Sequence, residues 1–270
     1  MNLERYLSEE KTISVILVDS TSIVAEMKKV QKTSAAATAA LGRFLTASAL
    51  MSADLKNDGD SLTLRIKGDG PVGVMIASAD AKGNVKGYVE NPAAEGTGVS
   101  AVVGKNGTLS VIRDLGLKEP VTAQIELVSG EIAEDITAYF ALSAQIPAVC
   151  ALGVVDGIAG GFLIKLLPGA DEDVIEKIES DLKNVRAVTE YLSAKMSLEE
   201  IAKTVLKSFK LTKIGGSDSE YKCDCSLARV KKALIGLGRK ELDEMIREDK
   251  KIEVCCNFCN NKYIFSEGEI

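Results

Sequence analysis

The placement of cysteine is the feature that most constrains how this chain can fold. Five of the six cysteines lie close to the C-terminal end, two in the motif KCDC at 222–225 and three in the motif CCNFC at 255–259, and the chain has no histidine. Four thiolates arranged as two close pairs are a ligand set that binds zinc tetrahedrally. The sequence therefore predicts that its C-terminal part folds around one metal ion.

The two cysteine pairs differ in spacing. Cys223 and Cys225 form a C-x-C pair, whereas Cys256 and Cys259 form the C-x-x-C spacing of a tight zinc knuckle. Cys255 competes for the second pair, but adjacent residues in a β-hairpin point to opposite faces, so that Cys255 should face away from Cys256. We predict that the zinc ligands are Cys223, Cys225, Cys256 and Cys259. A set that uses Cys255 stays open as an alternative.

A four-cysteine zinc site allows two interpretations. Many such sites only hold a small fold together and are inert once they are filled. Thiolates are also the reactive form of cysteine, so an oxidant that reaches them can form disulfides and release the metal. A unit of about fifty residues has too small a core to stay folded alone, so metal loss would tend to unfold it. The pattern therefore fits a structural site or an oxidation switch.

Composition and charge exclude several classes of protein. A net charge of −6 and a pI near 5.1 argue against a general nucleic-acid surface, which needs clustered basic residues. The opening MNLERYLSEEKT has no apolar segment typical of a secretory signal, and Arg43 interrupts the apolar run between residues 32 and 54. We therefore expect a cytoplasmic protein without a membrane span. In that reducing compartment clustered cysteines indicate metal or redox chemistry.

Hydrophobic periodicity predicts an α+β fold with a mainly antiparallel sheet. Residues 12–18 read as a strand, and residues 20–55 as two helices separated near residues 32–34, where Thr33 or Ser34 would cap the second helix. A further helix is predicted over 130–145. The other predicted strands are SLTLRIKG, GVMIASA, NVKGYVE, TLSVIRDL, VTAQIEL, PAVCALGVV and GGFLIKLLPG.

Changes in composition along the chain predict three domains. Residues 1–169 would form an N-terminal core domain, in which helices pack on the mainly antiparallel sheet. Residues 170–217 would form a charged helical linker, in which Ser197 and Glu200 have the spacing of a capping box. The Gly/Ser-rich stretch KIGGSDSE would end this linker, and residues 218–270 would form the small four-cysteine zinc domain.

Two other motifs carry little functional weight. GDGPVG at 68–73 matches the glycine pattern of dinucleotide sites, but a strand follows it where such a site needs a helix. We therefore predict a hairpin connection there. Cys150 lies in the apolar stretch IPAVCALGV and is predicted to be a small buried core residue.

Taken together, the motifs resemble one family over nearly the whole chain. KCDC, followed after 30 residues by CNFC and then NNKYIF, is similar to the zinc-binding end of the 33 kDa chaperonin family, a group of redox-regulated heat-shock holdases. Two longer stretches resemble the core domain of that family: DGDSLTLRIKGDGPVGVMIASADAKGNVKGYVENP and SGEIAEDITAYFALSAQIPAVCALGV.

The resemblance implies a chaperone that holds unfolding client proteins without ATP and is dormant while reduced and zinc-bound. Oxidation would join Cys223 to Cys225 and Cys256 to Cys259, release zinc, loosen the linker and uncover apolar surface. Active members of the family are dimers. Cys255 departs from the family pattern, and it could mispair with either cysteine of the second pair.

Two other functions stay open from the residues alone. The cysteine-rich end could be a zinc-ribbon module that binds nucleic acid or a protein partner, although the acidic balance weakens the nucleic-acid version. The C-x-x-C pair could also serve a thiol oxidoreductase. Hydrolytic zinc catalysis is disfavoured, because four thiolates leave the metal no open position. We predict a non-enzymatic chaperone that binds unfolded clients, forms a homodimer when active, and binds neither nucleic acid nor membranes.

Overall fold

The computed structural model describes residues 1–236, 242, 251–266 and 269, and the chain divides into two compact units, Met1–Tyr221 and Lys222–Ile270. In chain order, the elements of the first unit are β1 (Leu3–Ser8), β2 (Ile13–Asp19), α1 (Thr21–Gln31), α2 (Ala35–Ser52), β3 (Ser61–Lys67), β4 (Val74–Asp80), β5 (Val85–Val89), α3 (Val99–Val103), β6 (Thr108–Asp114), β7 (Val121–Glu126), α4 (Ala133–Tyr139), β8 (Ala148–Val155), β9 (Ile158–Leu166), α5 (Glu172–Leu182), α6 (Val188–Ser193), α7 (Leu198–Val205) and β10 (Leu211–Ser217).

Two five-stranded sheets organise the first unit. One has the strand order β10-β1-β2-β9-β8 and the other β5-β4-β3-β6-β7, and neighbouring strands in both run antiparallel. Burial alternates along β3 and β4, as expected for strands with one face against a core. The predicted mixed fold with antiparallel sheets is therefore confirmed.

Helix α2 forms the centre of the main core and packs against strands of both sheets. Its small side chains allow this close approach, and fourteen of its eighteen residues are buried. Of the two caps that the sequence offers, Thr33 and Ser34, the helix uses Ser34, whose side chain accepts a hydrogen bond from the backbone N–H of Ala37 at 3.0 Å. Two buried hydroxyl groups bond each other across this core, Thr46 of α2 and Ser20, at 2.7 Å.

A second core forms where helices α5, α6 and α7 cover apolar side chains of β1, β2 and β9. Phe162 and Leu17 of the sheet pack in this cluster with Tyr191 and Ile201 of the helices. The capping box at the start of α7 is confirmed, because Ser197 and Glu200 bond each other's backbone N–H groups. These helices lie in the segment that the sequence assigns to the linker. The three-domain division itself stays a prediction.

The stretch predicted as a Gly/Ser break forms strand β10 instead. It pairs antiparallel with β1, from Leu3 opposite Ser217 to Ser8 opposite Leu211, with an irregularity between Arg5 and Tyr6. Glycine is a poor strand former, but the free edge of β1 supplies backbone partners that outweigh this local preference.

The α-helix predicted over 130–145 is shorter in the structure, and it is followed by a π-helical turn. It begins at Ala133 because Ile132 has a positive φ of 55°, which lies outside the helical region. After α4 the chain forms one π-helical turn, Phe140–Ala144.

The predicted hairpin connection at GDGPVG and the predicted burial of Cys150 are both confirmed. Residues 68–73 connect the paired strands β3 and β4, and a side chain at Gly70 would collide with the carbonyl of Val102, which explains the glycine there. Cys150 is buried in β8 as part of the main core.

The second unit is small. Its described elements are α8 (Leu227–Ile235), β11 (Lys251–Cys255) and β12 (Lys262–Ser266), and the two strands form an antiparallel hairpin. Among its described residues, four side chains form the buried apolar cluster: Leu234, Leu242, Ile252 and Phe265. A cluster of this size gives little stability by itself. In the described parts of both units, no helix combines the length and apolar character that a membrane crossing requires.

Candidate metal centre

The second cysteine pair lies in the turn between β11 and β12. The backbone N–H of Cys256 donates to the carbonyl of Asn261 at 2.9 Å, and the N–H groups of Cys259 and Asn260 both donate to the carbonyl of Cys256, at 3.3 and 2.7 Å. Asn260 adopts a left-handed conformation, with φ of 58°. Asparagine tolerates this region better than most residues, so the local sequence favours this tight turn.

The first pair lies in an extended stretch that ends at helix α8. Ser226 caps this helix by accepting a hydrogen bond from the N–H of Arg229 at 3.3 Å. The Arg229 guanidinium donates a hydrogen bond to the backbone carbonyl of Asp224 at 3.2 Å and also contacts the Asp224 carboxylate. The residue between the two thiols is thereby tied to the start of the helix, which restrains the C-x-C segment.

The hairpin turn and the extended stretch bring four sulfur atoms together. The Sγ atoms of Cys223, Cys225, Cys256 and Cys259 all lie within 4.8 Å of one another. The Sγ atoms of Cys223 and Cys256 are 3.7 Å apart, and those of Cys225 and Cys259 are 3.3 Å apart. Zinc–sulfur bonds of about 2.3 Å in a tetrahedron correspond to sulfur–sulfur edges of about 3.8 Å. The four thiols therefore fit a tetrahedral metal site of the type that zinc prefers.

The electrostatic environment differs from one thiol to the next. Burial alone would raise the pKa of Cys225, but hydrogen bonds from the Tyr263 hydroxyl and the neighbouring thiols lower that pKa to about 7. Burial raises the pKa of Cys223 and of Cys259, and the hydrogen bonds that Cys259 makes with the other sulfurs raise its pKa further. A bound cation would favour the thiolate form of all four groups, because metal ligands bind deprotonated.

Cys255 is not a member of the sulfur cluster. It is the last residue of β11, it is exposed, and it is paired with Lys262 across the hairpin. Its position agrees with the argument that adjacent hairpin residues face opposite ways. The assignment of the other four cysteines as ligands stays a prediction that their geometry supports.

One residue of the site was not singled out from the sequence. Tyr263 donates its hydroxyl hydrogen to Cys225 Sγ at 3.0 Å. Tyr263 is part of the motif NNKYIF, but the spacing of that motif does not predict the direction of the tyrosine ring. That direction depends on the hairpin register, in which Tyr263 lies opposite Val254.

Comparison with known proteins gives consistent results over the whole chain. The sequence model of the family described as Hsp33 protein matches residues 2–266. The 33 kDa chaperonin of Clostridioides difficile is 43% identical over 278 residues, which cover 98% of this chain and 96% of that protein. The 33 kDa chaperonin of Lachnoclostridium phytofermentans is 45% identical over 266 residues, which cover 93% and 90% of the two chains.

A solved structure has the same architecture. The crystal structure of the 33 kDa chaperonin (heat shock protein 33 homologue) of Thermotoga maritima superposes with a TM-score of 0.87 at 34% sequence identity. The match covers 100% of this chain and 96% of the other.

Proposed function

The chain belongs to the Hsp33 protein family, and we propose that it is a redox-regulated, ATP-independent holdase chaperone. In this proposal it is inactive while reduced and zinc-bound, and it becomes active when oxidation forms disulfides and zinc is released. Active molecules bind unfolding proteins under oxidative and heat stress and keep them from aggregating.

One observation carries the regulatory part of the proposal. Four sulfur atoms lie within 4.8 Å of one another in a unit whose described apolar cluster is small. Bound zinc would supply a cross-link between the C-x-C and C-x-x-C segments. We propose Cys223, Cys225, Cys256 and Cys259 as its ligands, because they offer four soft donors at tetrahedral spacing.

Oxidation would act on these ligands directly. We propose the pairs Cys223–Cys225 and Cys256–Cys259, each formed as two thiolates lose two electrons to hydrogen peroxide, which takes up two protons from solvent and leaves as two water molecules. A disulfide sulfur no longer binds zinc as a thiolate does. Without that cross-link we expect the unit to lose order, because the apolar cluster among its described residues is small.

We propose that clients bind apolar surface of the first unit. Helices α5, α6 and α7 cover apolar side chains of β1, β2 and β9, including Leu17, Phe162 and Ile164. These helices have eleven, six and eight residues, and helices this short are marginal without tertiary contacts. We propose that their partial unfolding uncovers this face for clients.

The remaining parts of the proposal concern location, assembly and partners. A reducing compartment would keep the cluster metal-bound in the absence of stress, so we propose a cytoplasmic location. We propose a homodimer as the active form and no role for nucleic acid or membranes. The proposed activity is binding and not catalysis, so we expect no turnover in an insulin-reduction assay. Turnover in that assay would instead support a thiol oxidoreductase.

The decisive experiment follows zinc and client protection together. Reduced protein is treated with peroxide at a mildly elevated temperature, zinc is measured with a metallochromic dye, and aggregation of a denatured client is followed by light scattering. We expect zinc release and client protection to rise on the same time course. Cys255→Ser serves as the matched control and should behave like the wild type. Equal protection by the fully reduced, zinc-loaded protein would refute the switch.

A further inference from the structure

Tyr263 links the sulfur cluster to the rest of its unit. Its hydroxyl donates a hydrogen bond to Cys225 Sγ at 3.0 Å. Cys225 belongs to the extended C-x-C segment, whereas Tyr263 belongs to strand β12, so the bond joins segments 38 residues apart in the sequence. Charge-assisted hydrogen bonds to an ionised acceptor are stronger than neutral ones. The contact is therefore well suited to orient a thiolate.

The ring of Tyr263 is held on its other sides. Strand pairing places Tyr263 opposite Val254 in the hairpin. Tyr263 also packs against the apolar cluster that includes Leu234 and Phe265. A partly buried tyrosine with a packed ring and a hydroxyl at a polar site loses little rotamer freedom when it makes its hydrogen bond. The hydroxyl is thus presented to the sulfur by a side chain that the fold already positions.

We propose that Tyr263 is a positioning residue of the metal site, which holds Cys225 in the ligand set and strengthens metal retention. This inference rests on the proposed metal binding by the four cysteines. A metal-bound thiolate keeps lone pairs that can accept a hydrogen bond, so the contact is compatible with a filled site.

Hydrogen bonds that neighbouring residues donate to metal ligands affect both the metal affinity and the absorption spectrum of a site. Loss of such a partner typically costs about 10–100-fold in metal affinity. Donation to a metal-bound sulfur also withdraws electron density from it, which changes the electronic properties of the site. Removal of the donor should therefore move the sulfur-to-metal charge-transfer band of a coloured ion such as cobalt(II) to longer wavelength.

The test compares Tyr263→Phe with the wild type after reconstitution with cobalt(II) alone. We expect full cobalt uptake, a charge-transfer band at longer wavelength, and a 10–100-fold weaker retention of zinc against a competing chelator. Tyr191→Phe is the matched control, because it removes a tyrosine hydroxyl that accepts a hydrogen bond from the backbone N–H of Arg186 in the first unit. The control should leave the band and the zinc retention unchanged.

The possible outcomes separate this inference from the proposed function. Failure of the wild-type protein to bind cobalt or zinc would refute the metal site itself. If the wild type binds both ions and Tyr263→Phe has the same band and the same zinc retention, the positioning role is wrong. A Tyr263→Phe protein that binds no cobalt at all also contradicts it, because one hydroxyl should change affinity by a finite factor and not abolish it.

Discussion

Asn2 and Ser219 bind each other in both directions. The Asn2 side-chain amide donates to the carbonyl of Ser219 at 2.8 Å, and the backbone N–H of Ser219 donates to Asn2 Oδ1 at 2.7 Å. The Ser219 hydroxyl also contacts the carbonyl of Gly83, and the N–H of Val85 donates to the carbonyl of Glu220 at 2.9 Å. The segment that precedes the first cysteine pair in the sequence is thus bonded to the N-terminus and to the turn before β5.

Replacement of Asn2 by alanine should loosen this segment. Asn2→Ala removes both reciprocal hydrogen bonds, and at about 1 kcal/mol each the loss corresponds to roughly tenfold or more in local opening. Hydrogen exchange at Ser219 and Val85 should accelerate accordingly. Asn57→Ala is the control, because its bonds serve the turn at Asp60. Unchanged exchange at Ser219 would contradict the importance of this contact.

A buried carboxylate should be important for the stability of the first unit. Asp135 is fully buried and accepts hydrogen bonds from backbone N–H groups, including those of Val128 at 2.7 Å and Ile132 at 3.0 Å. It thereby supports the positive φ of Ile132, which is costly for a β-branched residue. Asp135→Asn should lower the free energy of unfolding by about 2–3 kcal/mol, measured in urea.

Glu134→Gln is the control for that measurement, because Glu134 is the exposed neighbour of Asp135. It should change the unfolding free energy by less than about 0.5 kcal/mol. Equal stability of Asp135→Asn and Glu134→Gln would show that the carboxylate charge is unimportant for this turn.

These examples also indicate which features a sequence alone can predict. The cap at Ser34, the capping box at Ser197 and the C-x-x-C turn depend on residues within a few positions of one another, so local chemistry predicts them. Strand β10 was missed because its partner β1 lies about two hundred residues away in the sequence. The late start and early end of α4 were missed because neither the positive φ of Ile132 before it nor the π-helical turn after it has a simple sequence pattern.

In the candidate site, too, some features could be predicted from the sequence and others could not. Spacing singles out four cysteines, and hairpin alternation argues against Cys255. The Tyr263 contact was missed because it depends on the register of β11 and β12 together with the position of the C-x-C segment. Such a contact between distant segments becomes visible only in three dimensions.

Loss of a helix cap should lower the stability of the proposed linker. The Ser197 hydroxyl accepts from the N–H of Glu200 at 3.3 Å, and the Glu200 carboxylate accepts from the N–H of Ser197 at 2.8 Å. Ser197→Ala should cost about 1 kcal/mol, which is enough to raise hydrogen exchange in α7 several-fold. If linker unfolding accompanies activation, this variant should also protect clients at a lower temperature or peroxide concentration.

Glu199→Gln provides the comparison for that variant. It lies in the same first turn but loses only the exposed ion pair with Lys203, which contributes about 0.3–0.5 kcal/mol. Its exchange and activation should stay close to the wild type. A Ser197→Ala protein with unchanged α7 protection would contradict the role of the capping box.

The two cysteines outside the sulfur cluster should differ sharply in reactivity. Burial raises the pKa of the Cys150 thiol to about 12, whereas Cys255 is exposed. Iodoacetamide at pH 8 should therefore label Cys255 within minutes and leave Cys150 unlabelled in the folded, metal-loaded protein, as mapped by mass spectrometry. Equal labelling rates would mean that the strand containing Cys150 opens readily.

The same pKa shift predicts a dependence of stability on pH. The unfolded chain loses the Cys150 proton near the ordinary thiol pKa of about 8.5, whereas the folded protein keeps it until about 12. The contribution to stability is therefore complete below pH 8.5 and decreases as pH rises from there towards 12. Cys150→Ala should reduce this alkaline loss of stability, and an identical pH profile would refute the assignment.

The most direct test of the account is the metal content of the purified, thiol-intact protein, measured by elemental analysis. We predict about one tightly bound zinc per chain, because four sulfurs within 4.8 Å fill a single tetrahedral site. Cys255→Ser should keep this metal and Cys256→Ser should lose it. Thiol-intact protein without tightly bound metal, or metal that depends on Cys255 and not on Cys256, would contradict the account.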